Sequence, residues 1–389
     1  MIDRATLLAL KAATLATRAA VAGTAELGRA SEPPPTEGPL SILLVAHYPA
    51  SNAGTRCRLL NWKAPLEARG HRVDVALPST SARAERLYRT WTLAARAEYH
   101  LRLLANRLQT VRQAGRAHVV LLHLNDLPHW EYGPPFIAQA LARRTGRLVL
   151  DLDDLPVVRG ASSVAPRVRA LAAAVDGFTL GNRFLREHFQ ERPAWRVPTC
   201  VDPGAWPEKR FAEDAAPPVL GWIGTSGNLR ALEALAPQLA AVQRATGAKV
   251  RVVCDRPATL PGVEAEFEAW TLAGEQAAVS GFDIGLAPLA DGPMQRCKCG
   301  LKALQYMAAG LPVIASPVGV LPDIVEDGST GFVAGDPAAW GAALTRLAGD
   351  GELRREFGLR GRERAARDWS YARHVTTLEA ALRGSTSTW

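Results

Sequence analysis

From residue 40 onward, short apolar runs alternate with longer stretches of helical periodicity. SILLVAHY (41–48), HRVDVALP (71–78), AHVVLLHL (117–124), GRLVLDLDD (146–154) and GFTLG (177–181) are runs of strand length. Near-continuous apolar character marks strands covered on both faces, as in parallel sheets. Between or after them, TRCRLLNWKAPLEARG (55–70) and the segments around 135–145 and 182–190 read as helices. A stretch rich in Pro, Ala and charge, PGAWPEKRFAEDAAPP (203–218), then breaks the rhythm as an interdomain link. The alternation restarts with strands at VLGWIG (219–224), KVRVVC (249–254), FEAW (267–270), FDIGLAPL (282–289) and TGFVA (330–334). NLRALEALAPQLAAVQRATG (228–247) and three amphipathic segments at the C-terminal end are helical. Strands alternating with helices predict right-handed crossovers, hence an α/β chain with two doubly wound parallel-sheet domains in tandem.

Two helical segments fall outside this rhythm. Residues 1–30 are Ala-rich, but Arg4, Lys11, Arg18 and Glu26 interrupt every window long enough to span a bilayer. SEPPPTEGP (31–39) follows as a stiff linker. The run 81–116 carries arginines at 83, 86, 89, 96, 102, 107, 112 and 116 with Leu, Trp and Tyr interleaved. Either segment suits an anionic membrane surface, or equally a solvated helical face packed on the body.

Composition narrows the picture only a little. The 389 residues are too many for one ordinary core. A formal charge of +8 favours anionic partners: nucleotides, phosphates or membrane surfaces. No nucleic-acid module or interleaved aromatic platform is present, so no nucleic-acid partner is expected. Five scattered cysteines argue for a reducing compartment, and Cys297-Lys298-Cys299 lacks a second pair at zinc spacing.

The candidate chemistry sits where strands run into helices, since open parallel sheets collect ligands beyond the carboxyl ends of their strands. In GWIGTSGNLRAL (221–232), Gly224, Thr225, Ser226 and Gly227 form a turn whose amides can approach an anion, and Asn228 can cap the next helix. In GLKALQYMAAGLPVIASPVG (300–319), Gly300 and Leu301 open a helix closed by Gly310, with Lys298 and Lys302 beside its first turn. That arrangement suits a diphosphate. In the first half, HYPASNAGTRCR (47–58) places Gly54, Arg56 and Arg58 after the first strand. His123, Asn125 and His129 follow another strand, and Asp151, Asp153 and Asp154 end a third. Two of these three carboxylates are able simply to cap the following turn.

GLKALQYMAAGLPVIASPVGVLPDIVEDGSTGFVAGDPAAWGAAL (300–344) resembles the carboxyl-terminal signature of the retaining group 1, family-4-like glycosyltransferases. The match is dense from about Phe282 to Trp369 and looser over GWIGTSGN, GNRFLREHF and VPTCVD. VLDLDDLP (149–156) resembles a subset of bacterial relatives. The resemblance implies the GT-B architecture, two Rossmann-like domains facing a cleft. The corresponding division is an arm and linker (1–38), an acceptor domain (39–205), a nucleotide-sugar domain (206–370) and a final helix (371–389) packing back on the first domain.

By the same resemblance, Gly224, Thr225, Ser226, Trp270, Thr271, Lys298, Gly300, Leu301, Lys302, Gln305 and Gly319 would bind the donor. Gly54, Arg56 and Arg58 would form the acceptor and phosphate loop, while His123, Asp153 and Asp154 would face the acceptor. The family's two glutamates fall on Cys297 and Gln305; an amide still bonds ribose hydroxyls, and Asp291 or nearby backbone donors would replace the first.

The implied reaction is transfer of a sugar from a nucleotide-diphosphate donor to a hydroxyl acceptor, a glycan or lipid-linked molecule, with retention. No metal or cofactor is expected, because helix amides and the two lysines would neutralise the leaving diphosphate. The implied location is cytoplasmic, peripheral to the inner face of the membrane. The alternative is a degenerate transferase-like scaffold that binds nucleotide without turnover. A strand ending in Asp-x-Asp also resembles a haloacid-dehalogenase-type phosphatase, but the Thr or Val needed at position 155 is Leu155.

Overall fold

A computed structural model describes residues 4–25, 31–78, 92–127, 135–156, 164, 166–190, 192–209, 217–386 and 389. The chain forms two compact units, Met1–Pro198 with His374–Trp389, and Thr199–Arg373. Each holds a fully parallel six-stranded sheet with flanking helices, and together they are the two Rossmann-like domains of the GT-B fold.

In the first unit the strands are β1 (Ser41–Val45), β2 (Arg72–Ala76), β3 (Val119–His123), β4 (Arg147–Leu152), β5 (Gly177–Leu180) and β6 (Ala194–Arg196). Their order is β2-β1-β3-β4-β5-β6. The direction of winding reverses between β1 and β3, which makes the crevice beyond those two strands the natural ligand position. Every residue of β3 and β5 is buried, the expected consequence of helices on both faces. The N-terminal segment is a helix, Arg4–Ala25, docked along Leu93–Ala114 and Phe136–Arg144 with Val21 and Thr17 buried. Of the long basic run only residues 92–116 are among those described, and there helix Leu93–Ala114 lies against the sheet, burying Tyr99, Leu103, Leu104, Arg107 and Val111. No helix among the described residues is long and apolar enough to cross a membrane.

The second unit contains β7 (Val219–Ile223), β8 (Lys249–Cys254), β9 (Ala265–Ala269), β10 (Ile284–Ala287), β11 (Val313–Ala315) and β12 (Gly331–Val333), in the order β12-β11-β10-β7-β8-β9. Here the reversal falls between β7 and β10. Helix Leu301–Ala308 lies directly on those two strands because Gly285 leaves room for a ring: a Cβ there would come within 2.4 Å of Tyr306. The Tyr306 hydroxyl accepts from Ile223 N at 3.1 Å and donates to Leu286 O at 3.3 Å, tying the helix to both strands. Tyr306 is fully buried, and that burial raises its pKa above the ordinary value.

Candidate functional site

The best-formed anion site lies at the β7/β10 switch point. After β10 the chain passes through helix Pro293–Arg296 and enters Leu301–Ala308 at Gly300, whose φ of +68° lies in the left-handed region. A Cβ at Gly300 would fall 2.3 Å from Ile324 Cδ1, so glycine is required on two counts. The amides of Leu301, Lys302 and Ala303 meet no acceptor among the described residues. They are the orphan donors of a helix N-terminus, at the positive end of its dipole.

Lys302 folds back over β7. Its ammonium lies 4.8 Å from the Trp222 ring centroid, in the space left by Gly224, and no acceptor among the described residues takes its protons. Burial, followed by the charge of Lys298, pushes its pKa down to about 8. A half-buried ammonium without a counterion is poised to receive an anion.

The other turn is arranged differently. Gly224 N donates to Val253 O, and Ser226 donates through N and Oγ to the Asp255 carboxylate at 2.6 and 2.8 Å. The anion at this turn is therefore the protein's own. Asn228 does not cap helix Leu229–Glu233: its amide turns back to Thr225 Oγ1 at 3.0 Å. Thr271 Oγ1 accepts from Gly274 N within its own turn. The Gly319 turn, φ +61°, packs on the Arg296 backbone.

Of the residues matched to the family glutamates, Cys297 is buried and Asp291 is engaged by Arg296 in a two-bond surface pair at 2.7 Å each. Gln305 is buried and donates to Glu275 Oε1 at 3.1 Å. Glu275 also receives Trp270 Nε1 on its other oxygen, at 3.1 Å. Sequence reasoning missed Glu275, as it missed Asp255. A carboxylate opening a helix, six residues after the β9 end, was the available signal.

In the first unit the three aspartates at the end of β4 take separate roles. Asp153 Oδ1 lies 3.2 Å from His123 Nε2. Burial alone would raise the Asp153 pKa, but the hydrogen bond and charge of His123, with the charge of Arg58, carry it below the ordinary value. The Nε2–H donates to this carboxylate, leaving buried Nδ1 as a bare acceptor with no partner among the described residues. A Cβ at Gly54 would come within 3.3 Å of both His123 and Asp153, so the β1 loop closes on the pair. Leu124, with φ 60°, is the sole non-glycine residue with positive φ among those described, and it directly follows His123. Asp154 Oδ1 accepts from Leu155 N and caps its own turn.

Asp151 is not free for ligand: it holds Arg58 through two bonds, at 3.0 and 2.6 Å, and accepts from Thr179 Oγ1 at 2.6 Å. Arg58 also donates to Val197 O and is wholly buried, which removes it from any open phosphate loop. Arg56 Nη1 donates to Ser51 O in the loop itself. Asn125 is buried, and its Oδ1 accepts from Asp126 N; His129 lies outside the described residues.

Residues 217–350 match the family model described as glycosyl transferases group 1. Over 89 residues the chain is 38% identical to D-inositol 3-phosphate glycosyltransferase of Corynebacterium kroppenstedtii, covering 22% of this chain and 20% of that protein. It is 36% identical over 101 residues to phosphatidyl-myo-inositol mannosyltransferase of Mycobacterium leprae, covering 25% and 26%. The aligned part thus spans about a fifth to a quarter of these curated relatives. Among solved structures, Anabaena HepE in complex with UDP and glucose superposes with a TM-score of 0.65 at 14% identity, over 89% of this chain and all (100%) of that one. Sucrose-phosphate synthase from Thermosynechococcus elongatus gives 0.61 at 16% identity, over 90% and 99%.

Proposed function

We propose that this chain is a retaining glycosyltransferase of the family-4-like type, moving a sugar from a nucleotide-diphosphate donor to a hydroxyl of a glycan or lipid-linked acceptor. The observation that carries this reading is the unmatched positive charge at residues 300–303: three donor amides without acceptors, and a Lys302 ammonium from the same turn, with no counterion among the described residues. A diphosphate supplies the missing charge. As the glycosidic bond to the donor breaks, negative charge grows on the leaving phosphate, and donors already fixed there stabilise it without reorganising. The group 1 match over 217–350 covers this site, and relatives named for transfer to inositol phosphate and phosphatidyl-inositol support a polar hydroxyl acceptor. His123, oriented by Asp153, is the group we assign to the acceptor side; no protein nucleophile is assigned.

The test is a panel of nucleotide-diphosphate sugars with hydroxyl acceptors, read by nucleotide release and by the anomeric configuration of the product. One donor is expected to turn over with its configuration kept, and Lys302→Met to abolish most of the release. Tight nucleotide binding with no turnover across the panel would instead make the chain a nucleotide-binding scaffold.

A further inference from the structure

The Gln305 carboxamide has two faces, and the structure fixes which one is used. Its Nε2 donates to the Glu275 carboxylate at 3.1 Å. A carboxylate only accepts, so the amide cannot be flipped at this contact. Trp270 Nε1, donating to the second Glu275 oxygen at 3.1 Å, holds the carboxylate in turn. Trp270 is itself anchored, since its backbone N donates to Cys254 O at the end of β8. The Gln305 carbonyl oxygen accepts no hydrogen bond among the described residues, yet it is not among the sealed orphan atoms of the interior. Gln305 also stands three residues beyond Lys302 on the same helix, and side chains at that spacing share a face.

We infer that Glu275 is a positioning residue for the donor site: it locks the Gln305 amide with its carbonyl oxygen outward, as an acceptor for a ligand hydroxyl beside the diphosphate position. This rests on the nucleotide-sugar reading above and specifies it, since the hydroxyl would belong to the sugar portion of the nucleotide. The arrangement also gives a physical reason for glutamine at 305. A glutamate there would set two carboxylates about one hydrogen-bond length apart, and like charges so close cannot both ionise freely. The residues at 275 and 305 therefore form one unit, a single carboxylate and a single amide.

The exchange of the two side chains tests this. UDP and GDP binding is measured by calorimetry for the wild type, Glu275→Gln, Gln305→Glu and the double exchange. In Glu275→Gln the new amide cannot accept from both Gln305 and Trp270 with its oxygens as before. In Gln305→Glu the two carboxylates repel. Each single variant is expected to bind the preferred nucleotide at least tenfold more weakly. The double exchange restores one carboxylate and one amide, and is expected to return within about threefold of the wild type. A cycle of this kind isolates the coupling between the two positions. A 2′,3′-dideoxynucleotide is expected to be insensitive to Glu275→Gln, which a merely structural role would not produce. Wild-type binding left unchanged by Glu275→Gln, or a double exchange no better than the weaker single variant, overturns the inference and leaves the donor site standing. Failure of the wild type to bind any nucleoside diphosphate removes the donor site, and the inference with it.

Discussion

The Lys302 ammonium rests 4.8 Å from the centre of the Trp222 ring with no carboxylate among the described residues to balance it. An aromatic face offsets desolvation only in part, since a cation–π contact is worth roughly 0.5–2 kcal/mol. The rest of the deficit shows as a pKa of about 8 against an ordinary 10.5. Between those two values the folded state binds fewer protons than the unfolded state, so stability rises with pH across that window. Lys302→Met should therefore stabilise the ligand-free protein at pH 7, by on the order of 1–2 kcal/mol after allowing for partial exposure. It should also remove that rise of stability with pH. Donor affinity responds the other way, because only the ammonium holds a diphosphate. Wild-type affinity is expected to fall as pH rises above about 8, while the variant binds at least tenfold more weakly at pH 7 and shows no such fall. Thermal melts and donor titrations from pH 6.5 to 10 decide it; parallel pH profiles for both proteins would remove Lys302 from the site.

Gly224 determines where that ammonium goes. An added Cβ would lie 2.6 Å from Lys302 Cε and 2.8 Å from Trp222 Cη2. The lysine tail can swing away, whereas the Trp222 ring is 1% exposed and cannot. Gly224→Ala is expected to cost about 1–3 kcal/mol of stability by overpacking. It should push Lys302 toward solvent, so the fall in donor affinity moves to higher pH even as the affinity at pH 7 drops. An unshifted pH profile would show that the lysine does not depend on this gap.

Local patterns carried most of the fold. SILLV, VVLLH and GFTL are strands because apolar runs of that length must be covered on both faces, and none of the three is an edge strand of its sheet. Among the elements that escaped the sequence reading, one strand and one helix show why. Strand Ala194–Arg196 is three residues between Pro193 and Pro198, too short to show a period. Helix Pro166–Ala174 carries Arg167 on its buried face, where it pairs with buried Asp126 at 2.8 Å; that charge hid the apolar stripe. At the site, Gly300, Lys302 and Gln305 were legible because they share one helix start. Glu275 and Asp255 were not, because their partners Gln305 and Ser226 stand 30 and 29 positions away and only the crossovers bring them together. The same held for Arg58, whose partner is 93 positions along the chain.

His123 and Asp153 should separate chemistry from stability. Asp153→Asn keeps a hydrogen-bond acceptor for His123 Nε2 but removes the charge that would hold an imidazolium. If the pair moves or orients the acceptor's proton, turnover falls by roughly 10²-fold or more with donor affinity unchanged. The Asp153 pKa is depressed in the folded state. Its contribution to stability is therefore full above the ordinary carboxylate pKa and is lost as pH falls through the folded value. The variant should be less stable than the wild type at pH 7, and the difference should close in acid. Equal turnover in the two proteins would confine the pair to a structural role.

Arg58 and Asp151 offer the opposite expectation, a pair essential to the fold and silent in binding. Both side chains are almost wholly inaccessible, at 0% and 2%, and their two hydrogen bonds are supplemented by Val197 O on one side and Thr179 Oγ1 on the other. Removing one partner leaves a buried charge uncompensated, which costs about 3–5 kcal/mol. Arg58→Met should accordingly lower stability by that order, seen as a large drop in the denaturant midpoint. Adding Asp151→Asn removes the stranded carboxylate and should recover a good part of the loss, because buried pairs are often replaceable by neutral side chains of similar size. The recovered double variant is the informative protein. Since Arg58 reaches no open loop, its donor affinity and turnover should match the wild type wherever it is folded. A double variant that folds but binds its phosphate-bearing ligand tenfold more weakly would place Arg58 in the phosphate loop after all, with Asp151 as the residue that aims it.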